Sequence, residues 1–382
     1  MNILWLAPIP LIDNKETHPA PWIMTLANAL QNEGHELTIV NNNNSIKNKI
    51  LKTRWNNINL VYLKTPKLKV DFITLYQLKI KIVHNYLATI VNDFDILHIH
   101  GTEHQYEAMS YGFKIPKVIS IQGIMNECKQ YVPIKRYKQF LEWNLSAYYE
   151  TKYLVKNNNY SCRTHWDSGY IKQHNPQANI YMIWEMIREE FFADNFSLKK
   201  ENILFVGGKN EIKGLKELLF AYNNSLQSFG LNLIVLGNCT KNDIEELIAE
   251  NNLSNIKLDN IDCRGMQDSI GMVKAYKDSY CLVHPTYIDN SPNSVCEAQL
   301  SGLPVIATNV GGLASLVFDE ETGMLIDRKS SDIEVAVKKL FNNDVLRNSI
   351  SINSRKIARQ RHNPNKILKQ TIDMYTTIIG EN

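Results

Sequence analysis

The side chains best suited to chemistry gather in one stretch, HPTYIDNSPNSVCEAQLSGLPVIATNVGG, residues 284–312. A strand ending at His284-Pro285 leads into a polar loop, and Ser291-Pro292 then opens a helix. Serine is a favoured N-cap and proline a favoured first helical residue. The amides of Asn293, Ser294 and Val295 would point out of that helix start, with Asn290 and Ser291 in the loop before them. Unpaired amides at the positive end of a helix dipole bind phosphate. Asp289 precedes the helix, and Glu297 lies eight positions further on. Two carboxylates flanking a helix start can hold polar groups on either side of a bound phosphate, and a carboxylate suits the paired hydroxyls of a ribose. The plainer reading of the same residues is a capped helix with an exposed glutamate.

His98, His100 and His104 form a second set. The first two are two apart on a strand and share a face. Three histidines could hold a metal, but lining a cleft is the commoner role of such residues, so no metal is expected. A nucleophile elbow, a P-loop lysine-serine pair and a dinucleotide GxGxxG fingerprint are all missing.

Short apolar strands must position these groups. NILWLA (2–7), HELTIV (35–40), INLVYL (58–63), DILHIH (95–100) and KVISIQ (117–122) are apolar runs. Helical spacing separates them, as in Ile23, Leu26, Ala27 and Leu30. Continuous apolar strands alternating with helices argue for a parallel sheet covered on both faces. The Asn-rich stretches 41–44 and 157–159 read as loops. The pattern restarts near residue 200 with NILFVGG (202–208) and an amphipathic segment through Leu215, Leu218, Leu219, Tyr222 and Leu226. LNLIVLG, YCLVHP and PVIAT follow, and helical patterns run from about Ser331 to the end. The expectation is an α/β chain of two Rossmann-like, doubly wound parallel-sheet domains facing a cleft, since open α/β sheets bind ligands at their carboxyl strand ends. The domains are set at 1–187 and 196–360, with a helix at 361–382 packing back toward the first.

At this point the motif resembles the donor-binding signature of glycosyltransferase family 4, which has the GT-B fold. Glu297-Ala298, Gly302, Pro304 and Gly311-Gly312 match, with Asp289 in place of the first glutamate. The resemblance implies that Glu297 contacts a nucleotide ribose and Asp289 the donor sugar. FVGGKNEIKGL (205–215) resembles the family's Gly-Arg, four residues, Lys-Gly motif. Lys213-Gly214 fits, Gly208 stands where the arginine would be, and Lys209 beside it can substitute for that cation. Both cations are then implied to face the donor diphosphate, with Gly208 of the same loop binding it beside them. NEGHELTIV (32–40), DILHIHGTE (95–103), VISIQG (118–123), RTHWDSGY (163–170) and WEMIREEF (184–191) resemble a polysaccharide-assembly branch. Gln122 occupies a position that often holds histidine, and HPAPW (18–22) replaces the usual Gly-Gly loop.

The resemblance implies a retaining hexosyltransferase with Lys213, Asp289 and Gln122 as catalytic candidates. The donor would be a UDP- or GDP-linked sugar, with no cofactor or metal. The acceptor would be a glycan or lipid-linked glycan of bacterial surface polysaccharide or lipopolysaccharide. A GT-B sugar-nucleotide epimerase, or a catalytically weak member acting as an assembly partner, is the alternative.

Composition bounds these readings. The chain has 382 residues, 44% of them hydrophobic and 21% charged, which excludes a disordered, collagenous or coiled-coil protein. No apolar run reaches the roughly 18 residues of a membrane span, and Met1–Leu6 reads as a first strand rather than a signal peptide. Six scattered cysteines fit reduced thiols in the cytoplasm. Net charge is only +3, yet between Asn41 and Asn92 nine lysines and arginines face one acid, Asp71. With Trp55, Tyr62 and Phe72 interleaved, the window 41–92 reads either as a solvated face or as a docking surface on the anionic inner face of the cell membrane. Nucleic acid is not expected, because no recognised module accompanies the charge.

Overall fold

A computed structural model describes residues 1–12, 20–193 and 201–381. His18 and Pro19 of the HPAPW loop lie outside the described residues, as do residues 194 and 195 of the expected boundary at 188–195. The chain divides into two compact units, one of residues 1–186 with 364–382 and one of 187–363. Among the described residues, no helix is long and apolar enough to cross a membrane.

The first unit runs β1 (Asn2–Leu6), α1 (Pro21–Asn32), β2 (Glu36–Asn43), β3 (Ile50–Trp55), β4 (Ile58–Lys64), α2 (Leu68–Ile73) and α3 (Gln77–Ala88). It continues with β5 (Ile96–His100), α4 (Tyr106–Met109), β6 (Lys117–Ser120), α5 (Met125–Cys128), α6 (Tyr137–Tyr153), β7 (Asn159–Cys162), α7 (His165–His174) and β8 (Asn179–Met182). Its strands form one sheet in the order β3-β4-β2-β1-β5-β6-β7-β8, parallel except that β3 pairs antiparallel with β4. Alternation on β1 shows why both faces are covered. Ile3 and Trp5 enter one apolar cluster, Leu4 and Leu6 the other, and all four are fully buried.

Two readings of this half need correction. Asn41–Asn43 continue β2, and Asn159 opens β7, so these asparagines belong to strands. Trp55 and Tyr62 are buried core residues, and Tyr62 donates its hydroxyl to the Pro10 carbonyl at 2.7 Å. The lysine-rich window alternates because Lys52 and Arg54 lie on the outer face of an edge strand. Cations there discourage edge-to-edge pairing with another chain.

The second unit contains β9 (Asn202–Val206), α8 (Leu215–Asn224), β10 (Asn232–Leu236), α9 (Lys241–Glu250), β11 (Ile261–Gly265) and α10 (Ser269–Lys277). β12 (Cys281–His284), α11 (Asn293–Leu300), β13 (Val305–Thr308), β14 (Met324–Ile326), α12 (Ser330–Phe341) and α13 (Asp344–Arg361) complete it. Its sheet has the order β11-β10-β9-β12-β13-β14, all parallel. The chain starts at β9, winds outward one way through β10 and β11, then returns to β12 and winds the other way. The order reverses between β9 and β12, and the loops leaving their carboxyl ends therefore diverge and leave room for a ligand.

The last helix, α14 (Pro364–Gly380), belongs to the first unit. It buries Ile367, Thr371, Met374, Tyr375 and Ile378, an i, i+4, i+7, i+8, i+11 stripe. Trp5 Nε1 donates to the Tyr375 hydroxyl at 3.1 Å.

Candidate active site

At the switch point of the second unit, the loop after β9 carries Lys213 and the loop after β12 carries Asp289. Asn210 caps the short turn 211–213 by accepting from the Ile212 amide. Gly214 follows in the left-handed region, φ +80°, and a Cβ there would overlap the Pro285 carbonyl oxygen. Only glycine fits, so the backbone next to Lys213 is fixed against the end of β12. The two loops are also stitched together: the Tyr287 amide and the Thr286 hydroxyl both donate to the Ile212 carbonyl, at 2.7 and 3.0 Å. On the far side, the Gly312 amide donates to the Asp289 carbonyl at 2.9 Å. The Gly-Gly of the motif thus holds the loop that presents Asp289.

Held this way, Lys213 Nζ lies 2.5 Å from Asp289 Oδ2, and His284 Nε2 lies 3.1 Å from the same oxygen. Burial alone would raise the Asp289 carboxyl. Lys213 and His284 outweigh it and hold the carboxyl well below the usual carboxylate range. His284 is fully buried, and burial lowers its pKa despite Asp289, so the ring stays neutral. With Nε2–H directed at Asp289, Nδ1 is the acceptor nitrogen, and it has no partner among the described residues. The site is an ammonium and a carboxylate in contact, set on a neutral imidazole.

Four residues beyond Asp289, α11 begins. The helix starts one residue later than expected: Pro292 is extended, φ −66° and ψ 127°, and serves as the cap residue, while Asn293 is the first helical residue. The Val295 amide donates to the Pro292 carbonyl at 3.0 Å and so leaves the phosphate set. The amides of Asn293 and Ser294 have no acceptor among the described residues. Asn290 and Ser291 are buried, and Ser291 Oγ lies 3.8 Å from Cys296 Sγ rather than capping the helix.

Glu297 is buried rather than exposed. Its Oε1 accepts from Arg188 Nη2 at 3.2 Å and its Oε2 from the Tyr276 hydroxyl at 3.0 Å. Burial raises its carboxyl, with Arg188 opposing that shift. Two ionised oxygens offer about four acceptor positions, so two remain for a ligand.

The glycine loop behaves differently from the expectation. The Gly208 amide donates to the Leu236 carbonyl at 2.9 Å, and a Cβ would come within 2.6 Å of the Asn238 nitrogen. Gly208 therefore serves close packing of the β9 and β10 loops, and its amide is not offered to a phosphate. Lys209 is drawn to the neighbouring loop, where its Nζ donates to Asp243 Oδ1 at 2.8 Å. Asp243 also closes the capping box of α9 with Thr240. The structure thus joins Lys213, Asp289, Asn293, Ser294 and Glu297 to one strand-end region and gives Lys209 a separate partner.

Gln122 lies in the first unit, just after β6. It lines a small cavity of about 30 Å³ with His98, His100, Ser120, Arg163 and Glu185. His98 is fixed by the Tyr375 hydroxyl at 2.5 Å and Ser120 Oγ at 2.6 Å, and burial lowers its pKa to about 3. Both ring nitrogens are used in tying β5, β6 and α14 together. His100 Nε2 has no partner among the described residues, and Arg163 pairs with Glu185 at 2.5 Å. His104 precedes α4, whose cap residue is Gln105.

Sequence reasoning missed His284, Arg188 and Tyr276. His284 stood in the motif only as a strand end, and Arg188 is 109 positions from Glu297 with no periodic signal linking them.

Comparison with known proteins bears on the same region. Residues 186–357 match the family described as Glycosyl transferases group 1. The capsular polysaccharide biosynthesis glycosyltransferase CapM of Staphylococcus aureus is 28% identical over 209 residues, covering 50% of this chain and 53% of CapM. The match thus spans about half the length of this curated relative. Among solved structures, sucrose-phosphate synthase from Thermosynechococcus elongatus superposes with a TM-score of 0.79 at 16% identity over 100% of both chains. Anabaena HepE, solved with UDP, gives 0.70 at 13% identity over 99% of this chain and 100% of that one. At such identities the likeness speaks for the fold, which is GT-B.

Proposed function

Taking as premise that residues 186–357 are a group 1 glycosyltransferase domain, we propose that the chain transfers a sugar from a nucleotide-diphosphate donor to a glycan or lipid-linked glycan acceptor in surface-polysaccharide synthesis. The observation that carries this is the Lys213–Asp289–His284 contact at the switch point, followed by the open amides of Asn293 and Ser294. CapM's description as a capsular polysaccharide enzyme supports the acceptor class. HepE's bound UDP makes UDP-sugars the first donors to test, ahead of GDP-sugars.

In this reading Glu297, steadied by Arg188 and Tyr276, accepts from the ribose hydroxyls. Lys213 and the two amides face the diphosphate. The hard step is breaking the bond from the anomeric carbon to the phosphate oxygen. Charge then grows on the phosphate, and fixed donors preorganised around it stabilise that charge without reorganising. Neutralisation by an ammonium and a helix start needs no metal ion. Asp289, kept ionised, orients the donor sugar. The acceptor oxygen bonds to the anomeric carbon on the face the phosphate leaves, and its proton passes to the departing phosphate oxygen, so configuration is retained. Gln122, a neutral amide, would orient the acceptor rather than accept that proton.

The test is incubation with UDP-, GDP- and ADP-sugars and polysaccharide-precursor acceptors, following transfer, hydrolysis and epimerisation separately. Transfer with retention supports the reading. Epimerisation without transfer would replace it with the epimerase. Tight nucleotide binding without any turnover would replace it with a donor-binding assembly partner.

A further inference from the structure

We propose that the first unit carries a docking surface for an anionic lipid bilayer, built from α2, α3 and the start of α6 rather than from the strand-edge lysines of the basic window. Large apolar side chains stand in water on both segments. Ile73 is 82% exposed and Leu75 55% in the α2–α3 turn, while Ile134 is 75%, Tyr137 61% and Tyr148 53% exposed along the second segment. Soluble proteins rarely leave such residues grouped without a partner.

The two segments form one surface. The Tyr149 hydroxyl donates to the Leu75 carbonyl at 2.5 Å, and Gln77 Nε2 donates to that hydroxyl at 2.7 Å. Beneath them Phe72 and Leu145 pack on Tyr76 and Tyr149. Tyr137, Leu141, Leu145 and Tyr148 follow i, i+4, i+8, i+11 spacing, so the exposed stripe of α6 borders this seam. The turn itself is unusual. Leu75 and Tyr76 both adopt positive φ, 46° and 61°, which residues with a Cβ avoid. The consequence is that Tyr76 turns into the core while Leu75 stays in solvent. Backbone strain held by surrounding bonds points to function when, as here, it displays a side chain.

Charge decides the occupant. Across 67–81 and 134–152 all seven exposed charges are cationic: Lys67, Lys69 and Lys81 in the first segment, and four between Lys135 and Lys152 in the second. The acids of these segments, Asp71, Glu142 and Glu150, are buried or partly buried. A protein partner of ordinary composition would meet charges of both signs. Apolar side chains ringed by cations of one sign fit an anionic headgroup layer over acyl chains. This extends the acceptor reading to the surface on which a lipid-linked acceptor is carried. Its test uses neither donor nor acceptor, so either idea can fail while the other stands.

The full chain is co-sedimented with vesicles that are one-third phosphatidylglycerol in phosphatidylethanolamine, and with phosphatidylcholine vesicles. Wild type should pellet with the anionic vesicles and bind the neutral ones about tenfold or more weakly, with binding falling as salt rises. Ile73→Ser with Leu75→Ser should lose about tenfold or more of anionic-vesicle binding, and Lys135→Glu with Arg136→Glu and Lys138→Glu should lose at least as much. Circular dichroism and nucleotide binding, which these exposed positions should not affect, report that each variant is folded. Lys47→Glu, Lys49→Glu, Lys52→Glu and Arg54→Glu together should bind within about threefold of wild type if only long-range attraction is lost. Equal binding to both vesicle types, or unchanged binding in the Ile73/Leu75 variant, overturns the proposal. So does loss confined to the strand-edge variant, or self-association abolished by the serine variant in a chain that ignores vesicles.

Discussion

Replacing Lys213 by methionine keeps most of the side-chain stem and removes the ammonium. In the resting site that ammonium touches Asp289 Oδ2 at 2.5 Å, with the two side chains 28% and 17% exposed. Two effects follow. The departing phosphate loses its nearest fixed cation as charge builds on it; removing one such donor costs about 10²–10³ in kcat, or about 3–4 kcal/mol. Asp289 is also left as an uncompensated carboxylate facing an incoming diphosphate, so donor affinity should fall, by about tenfold, or about 1.4 kcal/mol. The second effect can be isolated. Adding Asp289→Asn removes the stranded charge, so the double variant should bind donor more tightly than Lys213→Met alone, with a coupling of about 1–2 kcal/mol. Calorimetry with the donor nucleotide gives affinity, and single-turnover kinetics give the chemical step. Lys209→Ala is the comparator: its ammonium pairs with Asp243, so its kcat should stay within about fivefold of wild type by the modest worth of exposed pairs. The reasoning fails if Lys213→Met weakens binding more than it slows turnover, or if Lys209→Ala is the more damaging change.

Other outcomes follow from the same geometry. Glu297→Ala should cost about 2–3 kcal/mol of nucleotide binding, roughly 30- to 150-fold, by the usual worth of hydrogen bonds to a charged group; affinity within twofold of wild type, with melting temperature unchanged, would remove Glu297 from the ribose. Gly214→Ala forces a Cβ into the left-handed region and onto the Pro285 carbonyl. That strain of about 2 kcal/mol or more should lower the melting temperature of the second unit by about 4–8 °C, and an unchanged melt would mean the loop relaxes freely. Asp289 has a depressed carboxyl pKa in the folded state, so its contribution to stability is complete above the unfolded value near 4 and is lost as pH falls through the folded one. The stability gap between wild type and Asp289→Asn, read from urea midpoints, should therefore be constant from pH 7 to about 5 and narrow below about 4; a gap that stays open at low pH would deny the Lys213 pairing.

Much of this architecture could be read from local pattern, because strand-loop-helix units declare themselves in adjacent residues. The runs 202–208 and 280–285 gave β9 and β12, and the polar residues after each gave the loops that carry Lys213 and Asp289. Long-range pairings could not be read that way. The burial of Glu297 could not be read, because the arginine that neutralises it lies 109 positions away. Gly208 looked like a phosphate-loop glycine, whereas its requirement comes from the backbone of Asn238 on the next loop. The aromatic residues of the basic window were misplaced for a different reason. On β3, a period of two sets Arg54 outward and Trp55 inward, and a composition count sees only the mixture. The residues that do stand out of the fold, Ile73 and Leu75, are ordinary in type. Their exposure sets them apart, together with the left-handed turn that follows Ile73 and displays Leu75.

The return of α14 to the first unit has a consequence for biosynthesis. Residues 1–186 leave the ribosome first, yet the helix that buries Tyr375 against Trp5 and His98 is made only after all of residues 187–363. During that interval the face of the first sheet that α14 shares with α1 is only partly covered, and apolar residues around Trp5 stand open to water. The nascent first unit is therefore an unfinished body whose closing piece arrives last. The second unit is continuous in sequence and can complete its own core while the first still waits. Loss of the final 19 residues, 364–382, would injure the half of the protein farthest from them in the chain, exposing the Trp5 side of the first sheet.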